Sequence, residues 1–373
     1  MIGKSQRMIL QTLFWLFLLA TAVQLFFWLG IFSKLAFYKK TETLDNEQAP
    51  VSVIICARNE AENLSKNLHH FLTQNYRFYE IIVVNDHSVD KTRDIVLNFQ
   101  TKFPNLRLIE NSSTLPGKKA ALTEGIEAAF FEIIIVSDAD CRPASPDWLA
   151  TMQNAIKGKT QIGLGYSPFY VEKNFLNRFI RFEAVYTAIQ YFSFALAGLP
   201  YMGVGRNLVY HKSLFYQTRG FHKHIHIASG DDDLFVNAVA NNSNTKIIID
   251  PKAFVFTQPK VSWRGYYYQK SRHLTTATSY KGIHQLALGA LALSHAGHYV
   301  LGLALLMSGK MVFIIFLIYL VRIGVVSWTY HCTLQKLQDP ALMKWVPLLD
   351  ALYVCYYFIF APALVNGKKI PWK

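Results

Sequence analysis

Asp138 and Asp140 stand one residue apart behind the apolar run EIIIV at residues 132–136. Two carboxylates so placed offer hard oxygen ligands to Mg2+ or Mn2+, and such an ion can bridge a diphosphate. In an isolated stretch the same pair is an ordinary polar turn; behind a buried strand the metal reading prevails. A second acidic group, Asp231-Asp232-Asp233, follows Ser229-Gly230 and opens the apolar-periodic segment LFVNAVA. Acidic residues in a first helical turn complement the helix dipole. Three in a row also repel one another, which raises at least one pKa and suits a general base. Asp86 follows a further apolar run and serves either as a helix cap or as a grip on a base or ribose. Lys118 and Lys119 follow Pro116-Gly117 and open a helix, where a lysine and a helix N-terminus both favour phosphate. A plain surface lysine pair is the competing reading.

The elements that must position these residues form a regular alternation. Val51–Cys56, Glu80–Val84, Leu106–Glu110 and Glu132–Val136 read as strands. Glu60–Leu72, Lys91–Phe99 and Lys118–Phe130 read as the helices between them. Continuous apolar strands alternating with helices predict a parallel sheet covered on both faces. In such a sheet ligands bind beyond the carboxyl ends of the strands. Ala57-Arg58-Asn59-Glu60, Asn85-Asp86-His87-Ser88 and Ser137-Asp138-Ala139-Asp140 all fall on that rim. About 210 residues suffice for one domain of this kind with a full core.

The rest of the chain is written for lipid. Of 373 residues 52% are hydrophobic and only 17% charged, which excludes a disordered or solvating chain. Met8–Phe32 carries no charge and is long enough to span a bilayer. No small-residue cleavage site follows it, so an anchor over residues 1–40 is expected rather than a cleaved signal. Lys34, Lys39 and Lys40 outnumber Lys4 and Arg7 by one, placing residues 50–259 in the cytoplasm and the anchor in the cytoplasmic membrane. Residues 260–284 form an amphipathic, basic, aromatic stretch expected to lie on the membrane surface. Residues 285–373 hold three more apolar segments, near Leu286–Met307, Met311–Tyr330 and Ala341–Val365, interrupted by Arg322 and Asp350. With Lys368, Lys369 and Lys373 at the tail, three crossings run against the positive-inside tendency, so one segment is re-entrant or the tail breaks the rule. Phe175–Leu199 is nearly as apolar, but Arg178, Arg181 and Glu183 argue for a buried or membrane-touching helix of the soluble domain. The net charge of +14 suits anionic lipid and phosphate-bearing substrates better than nucleic acid, because the aromatics lie in apolar segments and not among basic residues. Cys56, Cys141, Cys332 and Cys355 are far apart and suggest neither a disulfide framework nor a zinc site.

Taken in order, VSVIICARNE, VVNDHSVDKT, GKKAAL, SDAD, GDDDL and QKSRH resemble the family-2 glycosyltransferases, in the membrane-embedded branch of cellulose, hyaluronan and chitin synthases and ceramide glucosyltransferase. The resemblance implies an α/β GT-A fold with a Rossmann-like mixed sheet, to which the apolar segments add one N-terminal and about three C-terminal transmembrane helices. It implies inverting transfer from a nucleotide-diphosphate sugar, with uridine the family expectation; the acceptor expected for this membrane chain is a lipid or lipid-linked glycan. By the same resemblance Asp86 holds the base, with Ala57, Arg58 and Glu60 lining its pocket and Lys118 nearby. Asp138 and Asp140 hold the sugar nucleotide and Mg2+ or Mn2+. The catalytic base falls on Asp232, or on Asp231 if the motif is registered on Asp233-Leu234. Gln269 and Arg272 match QxxRW on the interfacial helix, with His273 in place of the final Trp. That departure, with the short membrane part, favours single-sugar transfer over the alternative of a processive polysaccharide synthase. A non-catalytic membrane scaffold is the alternative of another class, which the full set of carboxylates disfavours. Gly203–Asn207 resembles the small-residue segment near the family's acceptor site. The oligomeric state is not legible.

Overall fold

Every residue of the first strand, β1 (Val51–Ala57), is buried. Ile54 and Cys56 face one core, while Val51, Val53, Ile55 and Ala57 face another. The two-residue period of a strand thus sorts an uninterrupted apolar run onto two covered faces. The computed structural model describes residues 4–39, 48–114, 117–227 and 229–366. Lys40, Pro116, Lys368, Lys369 and Lys373, used in the sequence reading, lie outside them, as does the side chain of Lys4.

The remaining strands are β2 (Tyr79–Asn85), β3 (Leu106–Glu110), β4 (Ile133–Asp138), β5 (Cys141–Pro143), β6 (Ile162–Leu164), β7 (Leu208–His211), β8 (Thr245–Ile247) and β9 (Val255–Thr257). Seven of them form one sheet in the order β3-β2-β1-β4-β7-β6-β8, and β5 pairs with β9. The four strands read from sequence are parallel. The sheet as a whole is mixed, because β7 runs antiparallel to both β4 and β6. This corrects the all-parallel expectation of the strand–helix alternation and agrees with the mixed sheet implied by the resemblance. β6, β7 and β8 have three or four residues each, too few for a periodic signal.

In chain order the helices are α1 (Lys4–Leu25), α2 (Ser33–Phe37), α3 (Ala61–Leu72), α4 (Thr92–Gln100), α5 (Lys118–Ala128), α6 (Trp148–Gln153), α7 (Phe175–Leu196), α8 (Lys212–Gln217), α9 (Asp233–Val239), α10 (Trp263–Leu274), α11 (Gly282–Met307), α12 (Val312–Lys336) and α13 (Val346–Asn366). One sheet face is closed by Leu64, Leu68 and Phe71 of α3 and Trp148 of α6. The opposite face packs on Leu122 and Ile126 of α5 and Phe182 and Tyr186 of α7. Its core runs on without a break into Trp28 and Phe32 near the anchor's end, Tyr330 of α12 and Tyr353 of α13.

Four described helical spans are long and apolar enough to cross a membrane: Ser5–Phe37, Gly282–Met307, Val312–Lys336 and Pro340–Leu364. The anchor is one such span, with a π-helical stretch, Phe26–Phe32, joining α1 to α2. The charges that interrupt the C-terminal segments pair with each other. Arg322 Nη1 donates to Asp350 Oδ2 at 2.5 Å. Tyr299 Oη donates to the same oxygen at 2.7 Å, and Arg322 Nη2 to Gln24 Oε1 at 2.9 Å. This network draws on the anchor and all three C-terminal helices, satisfying groups that would be costly in hydrocarbon. α7 is tied similarly, with the Arg181 guanidinium gripping Asp339 through both oxygens. The helix expected on the membrane surface is shorter than the sequence suggests. α10 ends at Leu274 and is wedged between α7 and α13, with Trp263 and Tyr266 against Phe179 and Tyr267 stacked on Phe360.

Candidate active site

The loops behind β1 and β2 are stitched together. Asn59 and His87 adopt left-handed backbone conformations (φ 56° and 54°) that turn the chain sharply at the strand ends. The Asn59 N–H donates to Ser88 Oγ, the Val89 N–H to Asn59 Oδ1 and the Ala61 N–H to Asp90 Oδ2. Asp86 is fully buried. It accepts from the Gly117 N–H at 2.9 Å and from Asn111 Nδ2, and His87 Nδ1 lies 3.1 Å away. Asp86 thereby fixes the N-terminus of α5, and with it Lys118, against the end of β2.

Lys118 is the hub. Its ammonium lies 2.9 Å from Asp138 Oδ1 and 2.9 Å from Asp231 Oδ2, joining the end of β4 to the loop before α9. Burial pushes the lysine pKa down, but Asp138, Asp231 and Asp232 outweigh it and hold the ammonium charged well above its ordinary range. Burial likewise pushes Asp138 up, and Lys118, Arg206 and Arg272 reverse this and keep it ionised. For Asp140 the pull of Arg206 is too weak to reverse the shift. Burial and then the Asp138 charge push its pKa up.

The three aspartates at 231–233 have different surroundings. Gly230 (φ 94°) makes the turn before them, a conformation L side chains rarely adopt. Asp231 is taken by Lys118. Asp233 accepts from Tyr280 Oη at 2.7 Å and from Thr276 Oγ1, which anchors the start of α9 to the segment after α10. Asp232 accepts two backbone N–H groups, from Gly205 at 2.6 Å and Asp233 at 2.7 Å. Burial, then the Asp231 and Asp233 charges, push its pKa up to about 7.

These groups line one cavity of about 470 Å³ together with Glu60, Gln269, Arg272 and His273. The structure thus brings together Glu60, Lys118, Asp138, Asp140, Asp231, Asp232, Gln269 and Arg272 from the sequence reading. Ala57, Arg58 and Asp86 lie outside that lining. His273 is held neutral, because burial and the nearby Lys270, Arg272, Arg206 and Lys118 push its pKa well down. Two lining features escape the reading of site residues. Arg206, which donates to Ser167 Oγ at 3.0 Å, sits inside the Gly203–Asn207 string. The ion pair of Glu183 and Lys270 joins α7 to α10 at 2.6 Å; Lys270 lies within QKSRH, but no motif marks Glu183.

The donor set at the rim fits a hard divalent cation. Ligand atoms of Asp138, Asp140 and Cys141 lie within 4.8 Å of one another. The Cys141 thiol is kept protonated by burial and by the Asp140 and Asp138 charges, and donates to Asp140 Oδ1 at 3.4 Å. This leaves two carboxylates as the ligands, a set suited to Mg2+ or Mn2+ and not to a soft metal. Burial and then the Asp138 charge, which together raise the Asp140 pKa, are what a bound cation would offset.

Known proteins share this architecture. The mannosyltransferase PcManGT from Pyrobaculum calidifontis, solved with GDP-Man and Mn2+, superimposes over 93% of this chain and 99% of its own with TM-score 0.60 and 17% identity, a likeness of fold. The glycosyltransferase AglE of Haloferax volcanii is 40% identical over 111 residues, 29% of this chain and 36% of AglE. A dolichyl-phosphate beta-glucosyltransferase of Trichomonas vaginalis is 32% identical over 129 residues, 29% of this chain and 39% of that protein. The chain therefore spans less than half the length of these two curated relatives. The profile described as "Glycosyl transferase family 2" matches residues 52–218, from β1 through α8, and the chain carries a GT-A glycosyltransferase domain of that family.

Proposed function

We propose that this chain is an integral-membrane inverting glycosyltransferase that moves one sugar from a nucleotide-diphosphate sugar, a UDP-sugar by the family expectation, to a lipid or lipid-linked glycan. The observation that carries the reading is the single cavity where the rim carboxylates, Lys118 and Arg272 meet, roofed by a helix that packs on the apolar helices. The acceptor hydroxyl oxygen attacks the anomeric carbon from the face opposite the leaving group. Its proton passes to Asp232, and the bond from the anomeric carbon to the diphosphate oxygen breaks with its electron pair leaving on the nucleoside diphosphate. A base whose pKa lies near 7 is matched to neutral pH, and Asp232 alone of the three aspartates is engaged only by backbone N–H groups. Gly205 fixes its direction; a Cβ there would fall 3.1 Å from Asp232 Cβ and Oδ2. Lys118 and Arg272 face the charge that grows on the diphosphate, and Gln269 orients it. Asp138 and Asp140 would hold Mg2+ or Mn2+, which supplies charge neutralisation at that leaving group when bound.

Asp86 secures the base end of the donor through α5, and Ala57, Arg58 and Glu60 border it. The domain is placed on the cytoplasmic side of the cytoplasmic membrane, supported by Lys34 and Lys39 at the anchor's end. The test is a panel of nucleotide sugars given to detergent-solubilised protein with metal and total lipid. One discrete labelled lipid product, lost in D138N, is the expected result. A lengthening ladder of products would show a processive synthase, and donor binding without turnover a scaffold.

A further inference from the structure

The carboxylate-lined cavity is also walled by Glu183, Ala184 and Thr187 of α7 and by Tyr268 and Lys270 of α10. There Lys270 Nζ meets Glu183 Oε2 at 2.6 Å, with side chains 14% and 5% exposed. Thr187 Oγ1 donates to the other Glu183 oxygen at 3.1 Å. We infer that the Glu183–Lys270 pair is the subsite for the acceptor's head group, and that it selects a neutral, hydroxyl-rich head group such as the sugar of a glycolipid over a bare lipid phosphate. This inference rests on the glycosyltransferase reading above and narrows its acceptor.

Three observations lead there. First, an ion pair is a poor device for merely joining two helices. Well-packed apolar residues of like volume usually do as well or better. A pair that lines a cavity instead presents polar atoms to what enters it. Second, the charges are already balanced. Lys270 keeps ammonium hydrogens to donate and Glu183 keeps lone pairs to accept, which matches a vicinal diol that both accepts and donates. A phosphate at the same place would find the Lys270 charge already answered by Glu183 and so gain no net attraction for the water it gives up. Third, the pair lies on the two helices of the catalytic domain that abut the membrane layer. α7 and α10 both pack on α13, through Phe179 against Tyr353 and Tyr267 against Phe360. A lipid-borne acceptor therefore meets the wall built by these two helices, while Lys118 and Asp86 are set by the strand ends.

The test uses full-length protein in nanodiscs without donor, so it needs no turnover. Binding of a diacylglycerol monoglucoside and of a polyprenyl phosphate is measured by native mass spectrometry for wild type, E183Q, K270Q and K270R, with melting temperatures beside them. The expected result is glucolipid binding that weakens tenfold or more in E183Q and K270Q, is largely restored in K270R, and is not displaced by polyprenyl phosphate. Should E183Q melt early, K270Q, on the more exposed side of the pair, carries the same test. Tighter binding of polyprenyl phosphate, no binding of glucolipid, or glucolipid binding unchanged in K270Q would overturn the inference. Transfer is read separately: glucolipid binding that depends on the pair, with no turnover of any donor, would sink the transferase reading and leave the subsite standing.

Discussion

Replacing Asp232 by asparagine makes stability respond to pH in a way that isolates the electrostatics of the acidic cluster. The folded protein raises this carboxyl from its ordinary 3.8 to about 7, through burial first and then Asp231 and Asp233. At about 1.4 kcal/mol per pH unit, the shift corresponds to at most about 4 kcal/mol. A carboxyl with a raised folded-state pKa contributes stability that is complete below pH 3.8, declines as pH rises, and is gone above about 7. Asparagine has no charge to lose and lacks this dependence. It also has one oxygen for the two N–H groups, of Gly205 and Asp233, that Asp232 now accepts. Leaving one unsatisfied costs about 1–3 kcal/mol at every pH. D232N is therefore expected to gain on wild type steadily as pH rises from 5 to about 7, and to be the more stable of the two at pH 8. Thermal unfolding in detergent from pH 5 to 9, with both proteins in the same buffers, measures it. A difference between the two proteins that stays constant across that range would refute the assignment of a raised pKa to Asp232.

Transfer by wild type should fall as pH drops below about 7. In D231N the acid limb should move to lower pH, because a like charge is removed and Lys118 is freed to stabilise the Asp232 carboxylate; a pH–rate profile tests both. In the membrane layer, R322A or D350A should each cost about 3–5 kcal/mol by stranding a buried charge, and R322L/D350L much less than the sum of the two; chemical denaturation in detergent would show the non-additivity. G205A places a Cβ 3.1 Å from Asp232 and should cut kcat about tenfold or more with donor Kd unchanged, as kinetics with a calorimetric donor titration would reveal.

The rim of the sheet is legible in the sequence because its signals are local. The apolar runs ending at Ala57, Asn85 and Asp138 each break directly into polar residues, and strand and rim share one short window. The mixed sheet is less legible, since β7 owes its place to β4 and β6 and carries only four residues. Long-range pairing is lost altogether. Arg322 and Asp350 look like flaws in two apolar segments, and only the fold reveals that each is the other's partner. Arg181 and Glu183 set α7 apart from the more apolar segments, yet nothing local says that Asp339 and Lys270 answer them. The differing fates of Asp231, Asp232 and Asp233 are also tertiary, decided by Lys118, Gly205 and Tyr280.

The claim that matters most is that Asp232 takes the acceptor's proton in a site where the donor is held by other groups. Single-turnover transfer of labelled sugar to lipid by D232N, with donor Kd measured on the same sample, tests it most directly. Wild-type donor affinity with transfer reduced by about a hundredfold or more is the expected result. Transfer at the wild-type rate with donor binding intact would contradict it and pass the role of base to another residue.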